Sequence, residues 1–164
     1  MTCVDLNRAI QSTLIVARNE YKYVADVETD LGDLPDVVCH GGAINQVFLN
    51  VVVNAAHAIA DVVGDTGARG RIRVETRRDQ DWAIILISDT GGGIPSAARE
   101  RIFDPFFTTK EVGRGTGQGL AIAHSVVVDK HHGRLTFETE PGVGTTFTIA
   151  LPIQHAHPHA GVAA

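Results

Sequence analysis

The sequence predicts an α+β fold, a two-layer α/β sandwich in which helices cover one face of a mixed β-sheet. Three observations predict it. Residues 43–61 carry apolar side chains at helical spacing along their whole length, the mark of a long helix packed on something. Four runs, 71–76, 82–88, 134–139 and 145–151, are rich in β-branched and apolar residues at strand spacing. The run 82–88 holds Ala83, Ile84, Ile85, Leu86 and Ile87, apolar on both faces, which places it at the centre of a covered sheet.

The elements follow in order. Residues 6–21 set Leu6, Ile10, Leu14 and Ala17 on one helical face, with Asp5 as the N-cap. Residues 24–28 alternate, Val24, Asp26 and Glu28 against Ala25 and Val27, as a strand does. Leu34-Pro35 interrupts the chain before the long helix, and Asp65-Thr66-Gly67 turns it into the strand pair 71–76 and 82–88. Residues 96–103 predict a short helix capped by Ser96. Residues 104–117 have no periodicity and contain Pro105, Gly113, Gly115 and Gly117, the pattern of a long mobile loop with a function. A helix over 119–129 and two strands joined at Pro141-Gly142 complete the domain. The Ala- and His-rich end predicts a disordered tail.

Composition excludes several classes. The chain has 164 residues, 44% hydrophobic and 20% charged, the mix of one globular domain. A net charge of -5 argues against holding nucleic acid through its phosphates. Unbroken apolar runs fall far short of the roughly 18 residues a membrane span needs, so no direct membrane contact is expected. The first residues lack the regions of a signal peptide, and Cys3 and Cys39 form no Cys-x-x-Cys pattern. A soluble, cytoplasmic domain is the expectation.

Three constellations carry candidate chemistry. Gln46, Asn50, Asn54, His57 and Asp61 lie along one face of the long helix. Carboxamides one turn apart suit a hard cation or a polyphosphate, yet the stripe equally reads as the helix's solvated side. Asp89 ends the central strand and opens Asp89-Thr90-Gly91-Gly92-Gly93-Ile94. A carboxylate only accepts hydrogen bonds and so selects an amino donor, although taken alone Asp89 reads as the start of a glycine-rich turn. The cluster Gly113 to Leu120 precedes a helix and could present backbone N–H groups to an anion. It fits neither the Walker A nor the Rossmann spacing.

Taken in order, these pieces resemble a family. Gln46 to Ala55, with Asn50 and Asn54, is similar to the N box of sensor histidine kinases. Asp89 to Ile94 resembles the G1 box, Phe103 to Lys110 the F box, Gly115 to Leu120 the G2 box, and Gly144 to Phe147 the closing Gly-Thr element. The matched stretch runs over residues 42–152. The N-terminal stretch, Val4 to Leu34, also resembles the segment preceding the N box in nitrogen-regulation-type kinases. The resemblance implies the Bergerat ATP-binding fold of the GHKL superfamily, with residues 1–41 contributing a helix and strand to the same domain and 153–164 a disordered tail.

The resemblance also implies roles. Asn54 would coordinate Mg²⁺ on the phosphates of ATP, with Asn50 in the same site. Asp89 would take the adenine amino group, Gly91, Gly93 and Ile94 would shape the base pocket, and Thr145 would support Asp89 and the base through a water. Gly115, Thr116, Gly117, Gly119 and Leu120 would cradle phosphate, with Lys110 and Arg114 as lid cations at the β- and γ-phosphates. His57 stands where many members have Lys. Asn50 replaces the Glu with which hydrolysing members activate water, and an amide is no base, so phosphoryl transfer to a histidine is implied instead of hydrolysis. None of the eight histidines is followed by an acidic residue, as the family's acceptor histidine is. The implied partners are therefore a separate dimerisation domain carrying that histidine and, downstream, a response regulator. A full-length protein could be membrane-anchored. The alternative is a nucleotide-dependent interaction module without kinase activity. Phe106 and Phe107, adjacent in the expected lid, are candidate anchors for the dimerisation helices.

Overall fold

The computed structural model describes residues 1–105 and 119–153. A short antiparallel ribbon of β1 (Thr2–Val4) and β3 (Val37–Cys39) brackets the N-terminal elements. The main sheet has five strands in the order β2 (Ala25–Leu31), β4 (Gly70–Asp79), β5 (Trp82–Asp89), β7 (Gly144–Pro152), β6 (Arg134–Glu140). Only β2 pairs in parallel, with β4; the other neighbours are antiparallel. The sheet is mixed, as the sequence predicts.

The helices are α1 (Leu6–Val16), α2 (Arg18–Tyr21), α3 (Gly41–Val63) and α4 (Gly119–His124), which continues as π-helical turns over Ser125–Lys130. On α3 the buried set is Ile44, Val47, Phe48, Val51, Val52, Ala55, Ala56, Ile59 and Val63, spaced three and four residues apart. That stripe joins Ile72, Val74, Ala83, Ile85, Ile87, Phe147 and Ile149 of the sheet in one core. Each such side chain fully buried contributes about 1.5–3 kcal/mol. Among the described residues α3 alone is long and apolar enough to cross a membrane. In the fold its apolar stripe is spent on the sheet.

Several expectations shift. The first helix is broken at Ala17, which adopts φ -84° and ψ 0°, so 6–21 becomes two helices; Asp5 does cap α1, accepting from the Arg8 N–H at 3.2 Å. The ribbon of β1 and β3 carries no periodic signal because each strand has three residues. Residues Ser96–Arg101 form a 3₁₀ helix that Pro95 precedes, with no side-chain cap from Ser96. β5 is central, but buried residues alternate with half-buried ones along it. Ile84 and Leu86 lie on the other face, opposite Arg77 and Glu75 of β4, and are half-buried.

Candidate nucleotide site

Asp89 is the last residue of the central strand, and the residue is only 7% exposed. Burial pushes its pKa up from 3.8 to about 6, opposed by hydrogen bonds from the backbone N–H groups of Gly91 and Thr145. The Gly91 bond to Oδ1 is 2.8 Å long. Thr145 stands directly opposite Asp89 in the β5–β7 register. A buried carboxylate held by two backbone donors keeps lone pairs for a third, external donor. The strand supplies rigidity and the following glycines supply access.

Those glycines are needed sterically. A Cβ on Gly91 would stand 2.6 Å from the Cβ of Ala58, so the loop after β5 lies directly against α3. Gly93 has φ +80°, and a Cβ there would stand 2.7 Å from the Glu140 carbonyl oxygen. The loop is fastened again when the Gly142 N–H donates to Gly92 O at 2.8 Å. Asp89, Gly91, Gly93, Ile94 and Thr145 are thereby gathered at one end of the sheet, beside α3.

The polar stripe of α3 supplies the neighbouring wall. Asn50 Nδ2 donates to the Gly119 carbonyl at 3.0 Å, and Asn50 Oδ1 accepts from Gln46 Nε2 at 2.7 Å. Gly119 and Leu120 begin α4, so Asn50 bonds the long helix to the root of the helix that follows segment 106–118. Asn54 lies one turn further along α3, half-buried. His57, another turn on, places Nε2 3.5 Å from Glu20 Oε1 of α2. Among the described residues no group of three or more His, Cys, Asp or Glu side chains could hold a metal ion. The amide oxygens of α3 are neutral donors of the kind a hard cation takes together with oxygens of its ligand.

Lys110, Arg114, Gly115, Thr116 and Gly117, together with Phe106 and Phe107, lie outside the described residues. Sequence reasoning missed Thr139 on β6. Its Oγ1 accepts from Ile94 N–H at 2.8 Å and stands 2.9 Å from Thr145 Oγ1. The signal was the hairpin register, in which a turn at 140–144 sets residue 139 opposite 145.

Residues 40–155 match the family "Histidine kinase-, DNA gyrase B-, and HSP90-like ATPase". Over 156 residues, 92% of this chain and 24% of the relative, the chain is 34% identical to the signal transduction histidine-protein kinase AtoS of Escherichia coli (strain K12). It is 35% identical over 125 residues to sporulation kinase E of Bacillus subtilis (strain 168), covering 76% of this chain and 16% of that protein. The chain thus spans a minor part of the curated relatives it matches. Among solved structures, the catalytic domain of histidine kinase ThkA superposes with a TM-score of 0.78 at 28% identity, over 93% of this chain and 97% of that one. The Mycobacterial sensor histidine kinase MprB gives 0.76 at 29% identity, over 92% and 95%. Motif order, sheet topology and sequence similarity agree: the chain belongs to the histidine kinase-, DNA gyrase B- and HSP90-like ATPase family, as an ATP-binding domain homologous to the catalytic domains of sensor histidine kinases.

Proposed function

We propose that this domain binds Mg-ATP between α3 and the loop that follows β5, and passes the γ-phosphoryl group to a histidine on a separate dimerisation domain, for relay to a response regulator. The observation that carries the reading is the buried Asp89 carboxylate at the end of the central strand, with acceptor capacity left for an amino donor. In this reading Asp89 takes the adenine amino group, and Gly91, Gly93, Ile94 and Thr145 border the base. Asn54 offers a neutral amide oxygen to Mg²⁺, which supplies charge neutralisation on the phosphates. Asn50 engages both ends of its amide with Gln46 and Gly119, so its part is to hold the root of α4 beside the phosphates. Gly119 and Leu120 border the same space. His57, with Lys110, Arg114, Gly115, Thr116 and Gly117, completes the phosphate contacts.

Asn50 also bears on the reaction type. Its amide has no basic lone pair at neutral pH, so it does not activate water. The attacking group comes from the acceptor histidine, and the domain's contribution is positioning and electrostatic stabilisation. Such a domain works in the cytoplasm, where ATP is supplied.

The test is direct. Mg-ATP at about 100 times its Kd adds roughly 2.7 kcal/mol of apparent stability and raises the melting temperature. A supplied dimerisation domain should then acquire acid-labile phosphate on histidine. No thermal shift at millimolar Mg-ATP overturns the nucleotide site. A shift without transfer to any matching dimerisation domain supports a nucleotide-dependent interaction module instead.

A further inference from the structure

Thr139 sits at the centre of a small hydrogen-bond network behind Asp89. It lies opposite Thr145 in the β6–β7 register, and Thr145 lies opposite Asp89 in the β5–β7 register. The Thr139 hydroxyl oxygen accepts the Ile94 N–H at 2.8 Å, stands 2.9 Å from Thr145 Oγ1, and stands 3.3 Å from the Gly144 carbonyl oxygen. It therefore ties together the two arms flanking Asp89: the glycine loop ending at Ile94, and the start of β7.

A hydroxyl has one proton and two lone pairs. Ile94 N–H takes one lone pair of Thr139. Its single proton has two acceptors within reach, and Thr145 Oγ1 is the nearer at 2.9 Å against 3.3 Å. Sent there, it occupies an acceptor site on Thr145 and leaves the Thr145 proton to be donated elsewhere. Thr145 is 5% exposed and stands opposite Asp89; in the reading that gives both residues to the base, they together present one acceptor and one donor. That pair complements the Watson–Crick edge of adenine, whose exocyclic amine donates and whose N1 accepts. Guanine offers the reverse order, an accepting O6 and a donating N1–H.

We propose that Thr139 is a positioning residue for base selection: it orients the Thr145 hydroxyl as a donor toward the purine N1. This rests on the reading of Asp89 as the adenine acceptor. Thr139 does not touch the base. It acts by deciding which way another hydroxyl points, directly or through one bridging water.

The experiment compares ATP with 1-deaza-ATP, which keeps the amino group and lacks only the N1 acceptor. Kd values with Mg²⁺ are measured for the wild-type domain, Thr139→Val and Thr139→Ser. The wild type should prefer ATP by about tenfold, the worth of one hydrogen bond well made. Thr139→Val should lose ATP affinity by a similar factor and bind 1-deaza-ATP nearly unchanged, so the preference collapses; Thr139→Ser should retain it. A merely structural role would weaken both ligands together and leave their ratio intact, which overturns the proposal. Equal binding of the two ligands by the wild type overturns it without any variant, even if Thr139→Val fails to fold. Failure of the underlying reading looks different, because ATP and GTP would then bind alike and Asp89→Asn would change neither.

Discussion

His131 Nε2 accepts the backbone N–H of His40 at 3.0 Å, joining positions 91 residues apart. The same ring bonds the Val126 carbonyl through Nδ1 at 2.8 Å, which makes it the neutral Nδ1–H tautomer with both nitrogens engaged. His40 is the residue from which α3 starts, and its own side chain caps nothing. The helical segment beginning at Gly119 is thereby fastened to α3 at both ends, by Asn50 at its root and by His131 at its close. One end belongs to the candidate site and the other does not.

His131 is 4% exposed, so replacing it with Phe strands the buried Val126 carbonyl and frees the part-buried His40 N–H to water. His131→Phe should cost about 1–3 kcal/mol in urea denaturation, the penalty of one unsatisfied buried group. An unchanged midpoint would mean that water replaces both bonds.

Asp89 makes nucleotide binding pH-dependent. Its pKa of about 6 lies above the ordinary 3.8, so the free folded domain holds this proton more tightly than the unfolded chain does. That stabilises the fold fully below pH 4 and is lost as the pH rises through 6, on the order of 3 kcal/mol in all. The amine is accepted most strongly by the ionised carboxylate, through a charge-assisted hydrogen bond. ATP affinity should therefore fall as the pH drops through 6, by about tenfold or more in all. Calorimetric titrations from pH 5 to 7.5 check this, with Asp89→Asn as the control: weaker by at least about tenfold at pH 7.5 and flat with pH. A wild-type affinity independent of pH would remove Asp89 from base recognition.

The two asparagines of α3 should separate. Asn54→Ala should abolish most of the Mg²⁺ dependence of ATP binding. Asn50→Ala removes the bonds to Gly119 and Gln46 and should lower stability of the free domain by about 1 kcal/mol. If Asn54→Ala binds ATP with the same magnesium requirement, the cation is held elsewhere.

Adjacent glycines after β5 provide an internal control. A Cβ on Gly92 meets only Val62 at an ordinary 3.5 Å, whereas one on Gly93 meets the Glu140 carbonyl at 2.7 Å with φ already at +80°. Gly93→Ala should destabilise the domain by about 1–3 kcal/mol, and Gly92→Ala by less than about 0.5 kcal/mol. Thermal melts that fail to separate the two would mean the loop relaxes freely.

Much of this molecule was legible in its residues alone. The apolar stripe of α3, the central position of β5 and the hairpin at Pro141-Gly142 follow from periods of 3.6 and 2 and from turn chemistry, which are local properties of the chain. The family followed as well, because the motifs around Asn50, Asn54, Asp89 and Gly119 keep their order and spacing in sequence. Local rules did not reach contacts between distant segments. The three-residue strands β1 and β3 pair with each other across the whole of α1 and β2, and neither is long enough to show a period. Ala17 breaks a helix that its apolar spacing alone would continue. Asn50 looked like a ligand from its stripe, and only the approach of Gly119, 69 positions away, showed its amide bonded to backbone. Thr139 carried no motif at all. Its hydroxyl acquires a task because the fold brings Asp89, Thr145 and Ile94 to one place, where a half-buried polar group finds its partners.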